Sequence, residues 1–486
     1  MVGLYTETEY LYNDICEEIR LFYNADKIEI IEQNYNLKDK AGLYFFHTLN
    51  SENDGYVSKA LFFKKAKKIG EYSFEFKTSE SNKLGKRREI KSAVKLTFYR
   101  LLRETTGKSL PWGCLTGIRP TRMLRELEDR QGEIAAKKHM IAVSDVNKSK
   151  YALAKSIVDL QRPLIESVDN GSLDIYIGIP FCPSICHYCS FSSTKTKRGD
   201  EKQSEYLDAL EYEVKALKSV IAEYDVRSIY IGGGTPTSLD MPLLNRMLKL
   251  VRENLPSTKE YTVEAGRPDT ITDDVLKILK EYNVNRISIN PQTLKGDTLL
   301  RIGRKHTIEQ FLYAFKKTRE YGFENINIDL ILGLPGESVS DMRRSVKKAV
   351  DLQPESITLH TLSIKNAAKY TRDMKYSADE KTILRAVDMG RRKTKRSGYK
   401  PYYMYKQKYM KGNLENVGFA LSGYECIYNI DMMEEVCSVL AFGAGSISKR
   451  VFKDENRLKR SANVKDIKTY IERVEDMVKK KKELFI

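Results

Sequence analysis

The stretch Leu173-Asp174-Ile175-Tyr176-Ile177-Gly178-Ile179-Pro180-Phe181-Cys182-Pro183-Ser184-Ile185-Cys186-His187-Tyr188-Cys189 decides the fold. Its first half is a largely apolar run rich in β-branched and aromatic residues, the composition of a buried strand. Its second half carries three cysteines at Cys-x3-Cys-x2-Cys spacing. Thiolates so spaced on one loop reach three corners of a cuboidal iron-sulfur cluster and leave the fourth iron open to a substrate or cofactor. With S-adenosyl-L-methionine on that iron, an electron from the 4Fe-4S cluster breaks the sulfonium bond. The deoxyadenosyl radical that forms removes unactivated hydrogens.

Two other uses of cysteine compete. Cys182, Cys186 and Cys189 with His187 have the donor types of a structural Cys3His zinc site. A histidine beside a ligating cysteine is, however, poorly placed to close a tetrahedron on the same ion. A disulfide framework is disfavoured by the odd count of seven cysteines and the scatter of Cys16, Cys114, Cys426 and Cys437,. These four read as small buried hydrophobes in a reducing compartment.

Outward from the cysteines, short β-rich runs alternate with longer amphipathic ones. Strands are predicted at Asp174 to Ile179, Ser228 to Ile231, Tyr261 to Glu264, Arg286 to Ile289, Asn325 to Leu330 and Ser356 to Leu362. Helices are predicted at Glu205 to Glu223, Pro242 to Asn254, Thr272 to Tyr282, Ile308 to Tyr321 and Ser338 to Leu352. Six βα units in series predict an α/β fold, a partial (β/α)6 barrel of parallel strands whose chemistry sits at the strands' carboxyl ends.

Residues 1 to 165 read as a separate small α+β domain. It has a helix at Thr6 to Tyr23, strands at Ile28 to Glu32, Gly42 to Thr48 and Tyr72 to Lys77, a helix from Arg88 to Thr105, and a helical connector from Asp145 to Val168,. The barrel is expected over 170 to 370, and 371 to 486 as a mostly helical extension covering the substrate. The segment Leu110 to Arg122, with the only Trp, is either an anion-binding loop or a turn-rich packing segment,.

The formal charge of +17 over 486 residues implies attraction to acidic partners: nucleic acid, a polycarboxylate substrate, or an electron carrier such as a flavodoxin or ferredoxin,. The lysine clusters Lys64-Lys65, Lys67-Lys68 and Lys479 to Lys482 lack the aromatic interleaving of a base-stacking platform, so no nucleic acid is expected,. The alternative is a biased composition rich in Lys, Asn, Ile and Tyr that leaves much of the charge on ordinary solvated faces,. Met1 to Tyr23 shows no signal-peptide pattern and no run of 18 apolar residues occurs, so a cytoplasmic protein without a membrane span is expected,.

Polar residues gather where the strands end. Gly232-Gly233-Gly234-Thr235 follows the second strand, and its glycines allow close backbone approach to a ligand such as the amino-acid end of S-adenosylmethionine,. Glu264, Gln292 and Asp329 sit at or just after the next three strand ends, where ribose hydroxyls and an ammonium need acceptors,. The alternative is that they cap helix starts. Arg304 is a candidate carboxylate holder, with a surface salt bridge as its duller use.

Together, Ile175 to Cys182 running into Cys186 and Cys189, the Gly232 to Thr237 stretch, Gln292, Gly303-Arg304-Lys305-His306 and Asp329 to Pro335 resemble a radical S-adenosylmethionine family, the oxygen-independent coproporphyrinogen III dehydrogenases. The resemblance covers about residues 172 to 450. Trp112 to Arg122 and Tyr402 to Gly418 are similar to its HemZ-type branch, which has an added N-terminal domain. The resemblance implies that Cys182, Cys186 and Cys189 ligate the cluster. It also implies that Tyr176, Tyr188, Gly232, Gly233, Gly234, Thr235, Glu264, Gln292, Arg304 and Asp329 contact S-adenosylmethionine, with Tyr176 and Arg304 as catalytic candidates. Ala441 to Ser446 resembles a glycine-rich element where the tetrapyrrole or a second cofactor sits.

Two positions depart from the family pattern. Phe191 stands where the dehydrogenases have a further cysteine, as in relatives that act as haem chaperones, and Gly178 replaces a histidine. The resemblance implies oxidative decarboxylation of coproporphyrinogen III to protoporphyrinogen IX. Rival readings are a haem chaperone, an anaerobic haem-modifying methyltransferase and, more distantly, a radical enzyme acting on RNA.

Overall fold

The computed structural model describes all residues except 24, 26, 38–40, 53–54, 80–82, 118, 198, 364–377, 408–410 and 456. Ile118 of the Leu110 to Arg122 segment and the boundary expected at 370 and 371 therefore lie outside the described residues. The chain forms two compact units, Met1–Ala154 with Gly412–Leu414, and Lys155–Lys411 with Glu415–Ile486.

The first unit is a five-stranded sheet covered by helices. Its strands are β1 (Val2–Thr6), β2 (Glu29–Ile30), β3 (Leu43–Glu52), β4 (Gly55–Lys64) and β5 (Lys67–Phe76), in the order β2-β1-β3-β4-β5. Phe45 and Phe62 stack at 4.7 Å across the β3–β4 pair, and Ile15, Ile19, Val94, Phe98 and Leu102 from the helices Tyr12–Phe22 and Lys83–Thr106 close the core. Two expectations need correction. The helix expected from Thr6 starts at Tyr12, because Val2 to Thr6 pairs in parallel with β3. The strand expected from Tyr72 begins at Lys67, joined to the unforeseen β4 by a two-residue turn. Lys65 and Ala66 both have positive φ there, +50° and +60°, without the Asn-Gly pair that usually announces such a turn.

All six predicted barrel strands form: β6 (Ser172–Ile179), β9 (Asp225–Gly233), β10 (Glu260–Glu264), β11 (Arg286–Ser288), β12 (Ile326–Leu332) and β13 (Ser356–Thr361), each parallel to its neighbour. A small pair, β7 (Phe181–Cys182) and β8 (Thr194–Lys195), brackets the cysteine loop. The C-terminal region carries helices, among them Glu380–Arg396, Ile427–Glu434 and Val474–Phe485, and also β14 (Lys400–Tyr405), β15 (Asn416–Ala420), β16 (Ser438–Phe442), β17 (Ile447–Phe452) and β18 (Arg457–Ala462). These extend both edges, giving β14-β15-β13-β12-β11-β10-β9-β6-β16-β17-β18.

Local chemistry sets the helix starts. Asp240 and Thr272 accept from the backbone of Leu243 and Val275, and Thr307–Gln310 and Ser338–Asp341 form reciprocal capping boxes,. Along β6, Ile175, Ile177 and Ile179 are fully buried on one face, while Asp174, Tyr176 and Gly178 alternate onto the other. That inner face is polar near the strand starts. Ser228 donates to Asp174 at 2.5 Å, Arg286 to Ser356 at 3.2 Å, and Ser356 to Asn327 at 3.0 Å. Glu260 receives the backbone N–H groups of Ile427 (2.7 Å) and Tyr428 (3.1 Å), so a carboxylate from the barrel caps the N-terminus of the helix Ile427–Glu434,. Among the described residues, no helix is long and apolar enough to cross a membrane.

Candidate active site

The cysteine loop is held shut at its base. Thr194 N–H donates to Pro180 O (2.7 Å) and Thr196 N–H to Cys182 O (3.1 Å), so residues 183 to 193 must loop out over the carboxyl end of β6. Cys182, Cys186 and Cys189 are free thiols. Burial pushes the Cys182 thiol up, opposed by the Thr235 and Ser193 hydroxyls and by Arg267, and burial also raises Cys189. His187 turns elsewhere: its backbone N–H donates to Ile302 O and its Nδ1 meets Arg301 O at 3.1 Å.

Gly232 to Thr235 packs directly beneath this loop. Gly234 N–H donates to Ile179 O (2.8 Å) and Thr235 N–H to Phe181 O (2.7 Å), and the Thr235 hydroxyl lies 3.5 Å from the Cys182 sulfur. A Cβ on Gly234 would stand 2.4 Å from Phe181 O, and Gly233 has φ +104°. Only glycine fits such an approach. Gly233 N–H is directed to Glu264. The amides of this turn are thus engaged within the protein, and what the glycines provide is room.

The remaining predicted residues converge from successive strand ends. Tyr176 on β6 stacks with Tyr230 (6.3 Å) and Tyr428 (6.1 Å), and its hydroxyl would lie 3.4 Å from a Cβ on Gly233. Tyr230 donates to Glu264 at 2.5 Å. Burial pushes the Glu264 carboxyl up, the Tyr230 hydrogen bond resists, and Asp329 adds repulsion, leaving it at about 7. Burial also acts to raise Asp329, but His360, Asn327 and Thr358 outweigh it and hold this carboxyl below its usual range. Gln292 follows β11 with φ +68°, exchanges backbone hydrogen bonds with Asp329 and Ile331, and buries an Oε1 that has no protein partner.

Arg304 is buried. It donates to Asn290 O (2.5 Å), Gly266 O (2.8 Å), the Tyr188 hydroxyl (3.2 Å) and the Cys186 sulfur (3.8 Å), and its Nε has no protein partner. The salt-bridge alternative for this residue is thereby set aside. Burial pushes the Tyr188 phenol up, against the pull of Arg304.

Sequence reasoning missed several neighbours. Tyr230 could have been found from register, since it lies two residues before Gly232 on the same strand and pairs with Tyr176. Arg267, 3% exposed, donates to Ser184 O (2.9 Å) and the Cys186 sulfur (3.9 Å). His360, at the end of β13, approaches Asp329 at 3.6 Å and meets the Tyr405 hydroxyl at 3.2 Å. His306, buried with neither ring nitrogen partnered, is lowered to about 3 by burial and by Arg304 and stays neutral.

An α/β barrel with three free cysteines on the loop after its first strand and polar groups at the next strand ends defines a class, and residues 176–349 match the Radical SAM superfamily. Over 402 residues, 80% of this chain and 79% of the relative, the sequence is 40% identical to the "Oxygen-independent coproporphyrinogen-III oxidase-like protein HemZ" of Bacillus subtilis. The chain belongs to this HemZ-type family of oxygen-independent coproporphyrinogen III oxidase-like radical SAM proteins. A "Heme chaperone HemW" of B. subtilis is 40% identical over 192 residues, 39% of this chain and 50% of that protein. The solved coproporphyrinogen III oxidase HemN of Escherichia coli shares the fold, with TM-score 0.54 and 24% identity over 66% of this chain and 73% of its own.

The superfamily implies a 4Fe-4S cluster and S-adenosylmethionine, and the residues present fit both. Cys182, Cys186 and Cys189 are free thiols on one loop, and His187 is turned to Arg301 O rather than offered as a fourth ligand. Three thiols at Cys-x3-Cys-x2-Cys spacing are the donor set of such a cluster,. The buried orphan atoms Gln292 Oε1 and Arg304 Nε are polar groups that a bound cofactor would satisfy,.

Proposed function

We propose that this chain uses a 4Fe-4S cluster on Cys182, Cys186 and Cys189, with S-adenosylmethionine, to act on a tetrapyrrole, and that the reaction is oxidative decarboxylation of coproporphyrinogen III. The observation that carries the reading is the 40% identity to HemZ across 80% of the chain, joined to a cysteine loop seated over the polar residues of the strand ends. Bound there, the cofactors supply a carbon radical able to remove an unactivated hydrogen.

The chain's own residues do the holding. The cysteines present thiolates from a loop fixed by Pro180 and Thr196. Glu264 accepts an ammonium once ionised, Asp329 accepts hydroxyls, and Tyr188 and Tyr176 wall the cofactor. Arg304, fixed by two backbone carbonyls, offers its remaining N–H to a carboxylate. Ala441 to Ser446 lies against the end of β6, since a Cβ on Gly443 would stand 2.5 Å from Gly178 O, and it borders the substrate space. The domain division at 165, 170 and 371 stays part of this proposal, with the last segment covering the tetrapyrrole, an acidic flavodoxin or ferredoxin as electron donor, and the cytoplasm as the place of action.

In the reaction, a hydrogen atom leaves the β-carbon of each of two propionates, the bond to the carboxyl carbon breaks, carbon dioxide departs, and one electron per vinyl passes to an acceptor. Anaerobic incubation with coproporphyrinogen III, dithionite and S-adenosylmethionine is expected to give vinyl products. Methionine and deoxyadenosine without vinyl product would remove the decarboxylase assignment. Phe191, 74% exposed where the dehydrogenases carry cysteine, favours haem carriage as the second reading. Stoichiometric haem binding without turnover of coproporphyrinogen would select it.

A further inference from the structure

Two guanidinium groups reach the same sulfur. Arg304 and Arg267 donate to Cys186 Sγ at 3.8 Å and 3.9 Å, from different segments. Arg304 is tied to the backbone carbonyls of Gly266 and Asn290. Arg267 has another setting. It belongs to the turn after β10, which is pinned by Thr270 Oγ1 donating to Arg267 O (2.8 Å) and by the Thr237–Thr270 hydroxyl pair (2.7 Å). Its Nη1 spans Ser184 O and Cys186, its Nε faces Asp269 at 3.4 Å, and its Nη2 is buried without a protein partner. The charge of Arg267 also bears on Cys182. A nearly buried cation thus touches the cysteine loop at one ligand and acts on a second.

We propose that Arg267 is a tuning residue, whose guanidinium raises the reduction potential of the cluster held by the three cysteines and so eases delivery of the electron to it. The inference rests on the radical SAM reading. Hydrogen bonds to ligand sulfurs and nearby positive charge both stabilise the reduced cluster, which carries one more negative charge than the oxidised one. In a water-poor surrounding that interaction is weakly screened. Asp269, being partly exposed, offsets only part of the charge. A residue that merely stapled the loop through Ser184 O would change how much cluster is held, without changing its potential.

The test is an EPR-monitored redox titration, without S-adenosylmethionine, of anaerobically loaded wild type, Arg267→Gln, Arg267→Lys and the exposed control Arg344→Gln, each with iron and sulfide measured first. The expected order is wild type and control highest, Arg267→Lys lower because an ammonium cannot hold Ser184 O and the sulfur together, and Arg267→Gln lowest. Wild-type protein with no reducible cluster overturns the radical SAM reading itself. A loaded wild type with both Arg267 variants at its own potential overturns the tuning alone. Where Arg267→Gln holds no cluster, Arg267→Lys decides: a lowered potential supports the proposal and an unchanged one overturns it.

Discussion

Tyr230 and Glu264 share a 2.5 Å hydrogen bond between adjacent parallel strands, β9 and β10, with the phenol donating to the carboxylate. The bond sits on the same face as Tyr176 and Gly232, so the acid that the strand-end pattern marks as a cofactor contact is braced by a residue that the pattern does not mark. Glu264 lies near 7 in this setting, against an ordinary value of 4.5.

A raised carboxyl means that the folded chain holds this proton more tightly than the unfolded one. Its contribution to stability is therefore present at low pH, declines as pH rises from about 4.5 and is gone above about 7. In cofactor-free protein, Glu264→Gln is expected to flatten this decline by on the order of 2 kcal/mol between about pH 5 and 8, read by urea unfolding. On the proposed assignment S-adenosylmethionine meets the ionised form through its ammonium, so wild-type binding is expected to tighten across the same window and to level off above about 7. An equal pH slope in Glu264→Gln would remove the acid from the cofactor site.

Cys182→Ala, Cys186→Ala and Cys189→Ala are each expected to lose most of the iron and the visible absorbance of the anaerobically loaded protein. Cys16→Ala, which lies in the buried core of the first unit, keeps both and costs about 1 kcal/mol of stability. Iron and sulfide content per chain is the measurement. Full content in any of the first three would contradict the ligand assignment.

Arg304→Lys tests geometry at constant charge. The guanidinium meets Asn290 O, Gly266 O, Tyr188 and Cys186 together, and an ammonium cannot reproduce that fork. Losing one or two charge-assisted hydrogen bonds at about 1.5 kcal/mol each predicts about 10- to 100-fold slower cleavage of S-adenosylmethionine to methionine and deoxyadenosine. Wild-type rates in this variant would make Arg304 a structural residue only.

Gly234→Ala and Gly296→Ala separate the two uses of glycine. The first would press a methyl to 2.4 Å from Phe181 O under the cysteine loop, while the second opens onto free space. Gly234→Ala is expected to cost at least about 2 kcal/mol and to lower cluster content, while Gly296→Ala stays within about 0.5 kcal/mol of wild type. Thermal melting and iron content together read both.

How much was legible follows from what repeats. The main barrel units join a β-branched run to an amphipathic helix with its own cap, so the period changes announce these elements. The helix expected at Glu205 to Glu223 divides into Glu201–Ala216 and Lys218–Ile221, and the latter and Gly296–Arg301, without side-chain caps, go unannounced. Cys182 to Cys189 and Gly232 to Thr235 were legible because spacing alone encodes their geometry. Arg267, His360 and Tyr405 were not, since each reaches its partner only after distant strands pair. In the first unit β4 stayed hidden, because Lys59 and Lys64 break an apolar run whose alternation shows only beside β3 and β5. The strands β14 to β18 likewise follow no βα repeat, and β16 declares itself through its pairing with β6 and β17.

The C-terminal helix Val474–Phe485 carries an ion pair sealed inside the protein. Lys481 and Glu213 side chains are both fully buried, with Nζ to carboxylate at 2.5 Å. Glu213 also accepts from Gly443 N–H (2.9 Å), Asn463 (2.8 Å) and the Tyr470 hydroxyl (2.8 Å), and Lys481 reaches Ala441 O as well. The pair thus fixes the turn from Ala441 to Ser446 against the end of β6. Removing one partner strands a buried charge, so Lys481→Met is expected to cost about 3 to 5 kcal/mol, while Lys481→Met with Glu213→Gln recovers part of that loss. Urea unfolding of both variants checks the coupling. If the double variant is no more stable than Lys481→Met, the turn is held by packing of the helix rather than by charge.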